Sequence, residues 1–118
     1  MKRLRLLLAD DHDIVVEGLR RVLDQPDLEI AGVVNDGRSL LRAAKEIQPD
    51  FIIADITMPL LNGIDAARQI RATNADVKII FLTMHSDVTF ATEALATGGT
   101  GWMVTYNRLH FERRRRLS

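Results

Sequence analysis

Apolar residues fall along this chain in two alternating patterns, short mainly apolar runs and stripes at helical spacing. Leu4 to Ala9, Leu28 to Val34, Phe51 to Ala54, Val77 to Leu82 and Gly101 to Val104 are the runs. Bounded by Pro, Gly, Asn and Asp, they fit strands covered on both faces better than helices, which need longer stretches. Between them lie the stripes. Asp13 is expected to cap a helix from Ile14 to about Asp24, with Val15, Leu19, Val22 and Leu23 on one face and Gln25-Pro26-Asp27 as its stop. Leu40, Leu41, Ala44 and Ile47 predict a second helix closed by Pro49. After an Asn62-Gly63 loop, Ile64, Ala67 and Ile70 predict a third, ending near Thr73 and Asn74. Ser86 or Asp87 is expected to cap a fourth, with Val88, Ala91 and Leu95 inward and Gly98-Gly99 as its end. Strands alternating with helices predict a parallel sheet with right-handed crossovers and helices on both faces. The fold class is therefore α/β, a doubly wound, five-stranded parallel sheet.

Composition changes this picture little. The chain has 118 residues, enough for one domain, and 16 Lys and Arg balance 16 Asp and Glu. A neutral total favours neither a nucleic-acid binder nor a membrane-surface protein. Its distribution is less even, since acidic residues sit at the ends of the apolar runs and Arg113 to Arg116 crowd four positive charges near the end. Cysteine is absent, which removes disulfide frameworks and Cys-based zinc sites and accords with a reducing cytoplasm. The run behind Met1-Lys2-Arg3 meets two aspartates after Ala9, too soon for a secretory or membrane-spanning segment.

The charge pattern at the strand ends carries the chemistry. Asp55 ends the most apolar run, and Asp10 and Asp11 end the first. In an open α/β sheet, ligands bind beyond the carboxyl ends of the strands, so these three carboxylates are expected at one edge. Their repulsion costs on the order of 1–4 kcal/mol per pair at moderate dielectric unless a cation or proton intervenes. Magnesium suits an all-oxygen set of one or two carboxylates plus phosphate oxygens. A carboxylate beside such an ion is also placed to attack phosphorus, and Asp55 is the best situated. Thr83, at the end of the next strand, offers a hydroxyl to a phosphoryl oxygen; its bland alternative is an ordinary β-branched strand residue. His12 and His85 flank the same edge and are expected beside the ligands rather than among them. The glycines at 98, 99 and 101 precede a strand, so they mark a helix stop and not a phosphate loop.

The ordered set Ala9-Asp10-Asp11-His12, Pro49-Asp50, Asp55-Ile56-Thr57-Met58-Pro59, Asn62-Gly63, Leu82-Thr83-Met84-His85 and Gly101-Trp102-Met103-Val104 resembles the receiver domain of two-component response regulators. The resemblance covers about Leu4 to Val104. The wording around Asp11-His12, Val16-Glu17-Gly18-Leu19-Arg20 and Thr83-Met84-His85 resembles the NarL/FixJ-type branch, whose members usually carry a helix-turn-helix output domain.

The resemblance implies a flavodoxin-like receiver fold and a function in histidine-to-aspartate signal transduction. Asp55 would be the phosphoacceptor, fed by a sensor histidine kinase. Asp10, Asp11 and Asp55 would hold Mg2+ with the backbone carbonyl of Thr57. Thr83 and Trp102 would form the switch pair; for Trp102 a plain core role weighs equally. Residues 1–104 would be the receiver domain and 105–118 a divergent basic tail in place of the last helix, which is expected to be short or atypical. No output domain is expected within the chain, so DNA would be met only through one that is missing, and no membrane partner is expected. The lysine that the family places after its fifth strand falls on Thr105. From there Tyr106, Leu109, Phe111 and Leu117 are spaced too unevenly for a packing helix, which predicts a homodimer that hides the uncovered surface. Two other readings stand beside this one. A receiver impaired in switching would serve as a dimerising interaction module. A phosphatase of the haloacid dehalogenase class would want an aspartate two residues after Asp55, where Thr57 stands.

Overall fold

The structure, a computed structural model, describes residues 3–56, 58, 60–83, 101–106 and 110–113. Its elements in chain order are β1 (Leu4–Ala9), α1 (Asp13–Val22), β2 (Leu28–Val34), α2 (Gly37–Ile47), β3 (Phe51–Asp55), α3 (Gly63–Thr73), β4 (Lys78–Thr83), β5 (Gly101–Tyr106) and β6 (His110–Arg113). They form one sheet in the order β2-β1-β3-β4-β5-β6. The first five strands are parallel, whereas β6 runs antiparallel to β5.

The parallel α/β sheet with helical crossovers is the architecture expected, but the sheet is six-stranded and not five-stranded. The difference lies at the end of the chain. Thr105 and Tyr106 continue β5, and His110 to Arg113 form β6, with Tyr106 paired to His110 and Met103 to Arg113. Three residues separate the two strands, the length of a hairpin connection. An antiparallel neighbour needs no helical crossover, so this strand leaves no helical stripe in the sequence. The expected fourth helix, between Ser86 and Gly99, lies outside the described residues, as do His85 and Arg114 to Arg116.

Alternation along each central strand divides the core in two. Leu7, Ala9, Ile52, Ala54, Ile79 and Phe81 face α2 and α3, where Leu40, Ala44, Ile64, Ala67 and Ile70 meet them. Leu8, Ile53 and Leu82 face the other way and pack with Val15 and Leu19 of α1. Burying a side chain of this size contributes roughly 1.5–3 kcal/mol, and Leu7, Leu8, Phe81 and Ile79 are fully buried. Covering on both faces is why these strands read as apolar runs.

The helices begin and end for local reasons. Asp36 caps α2 by accepting hydrogen bonds from the Ser39 backbone N–H at 2.8 Å and its hydroxyl at 3.0 Å. Gln48, in left-handed conformation with φ 50, closes α2 before Pro49 and donates its N–H to the Ala44 carbonyl. Asn62 caps α3, accepting from the Asp65 N–H at 2.9 Å. Asn62-Gly63 is therefore a helix start and not a loop. Asp13 is likewise the first residue of α1 rather than its cap, because His12 precedes it in extended conformation. The buried face of α1 is Val15, Val16, Gly18 and Leu19, and Val22 is exposed.

Candidate functional site

The chain passes from β1 outward to β2 and returns to β3 on the other side of β1. The carboxyl ends of β1 and β3 therefore flank a switch point, where open α/β sheets leave a crevice. Ala9 pairs with Ala54, which sets Asp10 and Asp55 side by side just past the last paired residues. Asp10 donates its N–H to the Val34 carbonyl at 3.0 Å, which ties it to β2 as well. Asp11 follows on the rim. Oxygens of Asp10, Asp11 and Asp55 and a ring nitrogen of His12 all lie within 4.8 Å of one another. The three carboxylates expected to converge are thus together.

Two of them are buried, Asp10 and Asp55, and Asp11 and His12 face solvent. Burial raises the Asp10 carboxyl above its ordinary range, against the hydrogen bonds and positive charge that His12 supplies. His12 is itself raised, chiefly by its side-chain hydrogen bond with Asp10. Its Nδ1 lies 2.9 Å from Asp10 Oδ1, 3.2 Å from Asp11 Oδ1 and 3.7 Å from Asp55 Oδ2. The histidine expected beside the carboxylates is therefore the group that stands between them. Adjacency to Asp11 in sequence was the available signal, but the direction of the ring depends on the turn. The turn is held by the His12 N–H, which donates to Asp10 Oδ1 at 2.8 Å.

The floor of the site is backbone. Ile56 donates its N–H to the Leu82 carbonyl at 3.0 Å, and the Gly63 N–H reaches back to the Ile56 carbonyl at 2.9 Å. A Cβ on Gly63 would collide with the Asp55 carbonyl oxygen, and one on Gly37 with that of Leu61. The starts of α3 and α2 thus press on the β3–α3 connection as closely as glycine permits. In that connection Met58 is buried, and Leu60 adopts φ 69, a left-handed conformation costly for a branched side chain. Sequence reasoning missed both glycines as supports; the dipeptide Asn62-Gly63 hinted only at Gly63.

The remaining expected residues are placed less fully. Thr83 closes β4 opposite Val104, and Trp102 lies in β5 opposite Phe81; their side chains, and Thr57 as a whole, lie outside what is described. Thr105 is in β5, paired with Phe111.

Comparison with known proteins agrees with this geometry. The family model described as "Response regulator receiver domain" matches residues 6–104. Response regulator GacA of Pseudomonas viridiflava is 34% identical over 101 residues, which are 85% of this chain and 47% of that protein. Transcriptional regulatory protein DegU of Brevibacillus brevis is 32% identical over 103 residues, 86% of this chain and 44% of that protein. This chain thus spans about half the length of these curated relatives. A LuxR-family two-component response regulator from Aurantimonas sp. SI85-9A1 superposes with a TM-score of 0.82 at 34% identity, over 87% of this chain and 74% of that one. By fold, by the convergence of its strand-end carboxylates and by these matches, the chain belongs to the response regulator receiver domain family, on its NarL/LuxR/FixJ side, the phosphoacceptor module of two-component signal transduction.

Proposed function

We propose that Asp55 takes the phosphoryl group, that Asp10, Asp11 and Asp55 hold Mg2+ with the Thr57 backbone carbonyl, and that a sensor histidine kinase is the donor. The observation that carries this reading is the meeting of three carboxylates at the β1/β3 switch point, with Asp55 buried at the tip of β3. Receiver domains bind Mg2+ at an acidic pocket, and the donors here suit it, since a set of oxygen donors rich in carboxylates fits a small hard cation. The raised Asp10 carboxyl marks charge that burial leaves undercompensated. When bound, Mg2+ supplies neutralisation of the negative charge that gathers on the phosphoryl oxygens and on Asp55.

The chain's own residues do the rest. Asp10 and Asp11 would hold the cation beside Asp55, whose carboxylate is the nucleophile. An Asp55 carboxylate oxygen forms the new bond to phosphorus while the bond from phosphorus to the donor imidazole nitrogen breaks. Thr83 at the end of β4 then donates its hydroxyl to a phosphoryl oxygen, and Trp102 in β5 moves into the space left behind. On this reading residues 1–104 are the receiver domain and 105–118 its divergent end. The whole protein, a cytoplasmic homodimer, controls transcription through an output domain beyond these residues, which alone meets DNA. Among the described residues no helix is long and apolar enough to cross a membrane.

A second reading is favoured by one observation: Thr105 stands inside β5, paired with Phe111, where the resemblance expects a lysine. Losing a charge-assisted hydrogen bond of about 1.5–3 kcal/mol cuts a phosphate-driven population shift roughly ten- to a hundredfold. The domain would then act as a dimerising interaction module that switches poorly.

Acetyl phosphate with Mg2+ and intact-mass spectrometry test the first reading. One phosphoryl adduct is expected on the parent and none on Asp55→Asn; uptake by Asp55→Asn at the parental rate removes the assignment. Sedimentation with and without beryllofluoride separates the two readings. Association that depends on the mimic supports a switch, association indifferent to it supports the interaction module, and a monomer throughout removes the dimer.

A further inference from the structure

The position of the His12 ring raises a question that the acid cluster alone does not. Its Nδ1 approaches oxygens of Asp10, Asp11 and Asp55 at 2.9, 3.2 and 3.7 Å, so one nitrogen faces all three proposed carboxylate ligands of the cation at once. Mg2+ demands oxygens at about 2.0–2.1 Å in a near-octahedral shell and retains several waters. Imidazole suits later transition metals better than it suits magnesium. The ring therefore leaves when the ion enters, unless it is itself a ligand, which its chemistry disfavours.

Leaving is structurally easy. The His12 side chain is 55% exposed, so a rotation about its own bonds carries the ring into water. Its backbone need not follow. The His12 N–H stays on Asp10 Oδ1 and its carbonyl still accepts from Val16 as the first turn of α1. Nor does the hold require a charged ring, because the neutral tautomer with its proton on Nδ1 also donates to Asp10 Oδ1.

We propose that the His12 imidazole keeps the cation's place among Asp10, Asp11 and Asp55, and that Mg2+ binds only by displacing it, so that this side chain lowers the affinity of the site for Mg2+. The proposal rests on the Mg2+ reading above. It makes His12 a positioning residue that sets how much free Mg2+ the site needs, without contact with the phosphoryl group.

The test is a calorimetric titration of Mg2+ into the full chain at one fixed pH, for the parent, His12→Ala and His12→Phe. Both variants are expected to bind Mg2+ about three- to tenfold more tightly, the size of one partly exposed charge-assisted hydrogen bond no longer broken on binding. In the parent, the His12 ring nitrogen resonances are expected to move to solvent-exposed values as the ion saturates. Equal affinities in parent and variants, with the ring signals unmoved, overturn the proposal while leaving the Mg2+ site standing. Weaker binding by both variants overturns it too and makes His12 a ligand. Absence of Mg2+ binding by all three proteins refutes the cation reading itself, and this proposal with it.

Discussion

Residues 3–83 and residues 101–113 extend one sheet by different rules. In the first region each parallel strand is reached through a helix, and every helix stripe is matched by an inward strand face, Leu40 and Ile70 against Ile52 and Phe81 on one side, Leu19 against Leu8 on the other. In the second, β6 is added to β5 through a three-residue connection, antiparallel and at the open edge of the sheet. The carboxylate site belongs wholly to the first region, at the switch point between β1 and β3. The lesson is that a sheet can change its manner of growth at one edge without disturbing chemistry held at its centre, because the register of Asp10 against Asp55 is set by β1 and β3 alone.

The largest expected effect tests where stability resides. Phe81→Ala, in a fully buried side chain of β4, is expected to cost about 3–5 kcal/mol in urea unfolding. Ending the chain at Tyr106, which removes β6, is expected to cost a fraction of that. Equal losses would mean that the two regions form a single cooperative core, and the comparison breaks. Next in size is Gly63→Ala. Its methyl group meets the Asp55 carbonyl, a backbone atom that cannot yield cheaply, so the fold is expected to lose about 1–3 kcal/mol and the phosphorylation rate to fall with it. Normal phosphorylation in Gly63→Ala would show that the close start of α3 does not position Asp55.

The smallest effect has the opposite sign. Burial raises the Asp10 carboxyl, so its charged form is the one the fold disfavours. The protonated form contributes stability that is present below the unfolded value, about 3.9, and is lost as pH rises through the higher folded value. Asp10→Asn, measured with a chelator present, is expected to be more stable than the parent near neutrality by on the order of 1 kcal/mol, the usual gain when a functional site's strain is removed. The gain is expected to vanish in acid, and Mg2+ binding is expected to be lost. A neutral-pH destabilisation would place the compensation of Asp10 in its His12 contacts rather than in a missing cation.

What the sequence determined by itself follows from local pattern. Mainly apolar runs located the parallel strands, because the central strands, buried on both faces, need no alternation, and stripes located α1, α2 and α3. Asp10, Asp11 and Asp55 were legible as a site because acids that end buried strands of one parallel sheet meet at one edge. The caps were read less well. Asp13 and Asn62-Gly63 were each displaced by a residue, since Asp and Asn serve equally as cap, first-turn residue or loop, and only backbone dihedrals separate these. Tertiary structure alone decided three further matters. It placed the His12 ring in the midst of the carboxylates, since Asp55 comes near the ring only through the pairing of β3 with β1. It pressed Gly63 on Asp55 and Gly37 on Leu61, contacts between elements distant in kind and visible only once both are packed. It also paired residues 103–106 with 110–113 as a hairpin, because a four-residue edge strand has too few positions for a period of two to stand out, and its partner, not its composition, makes it a strand.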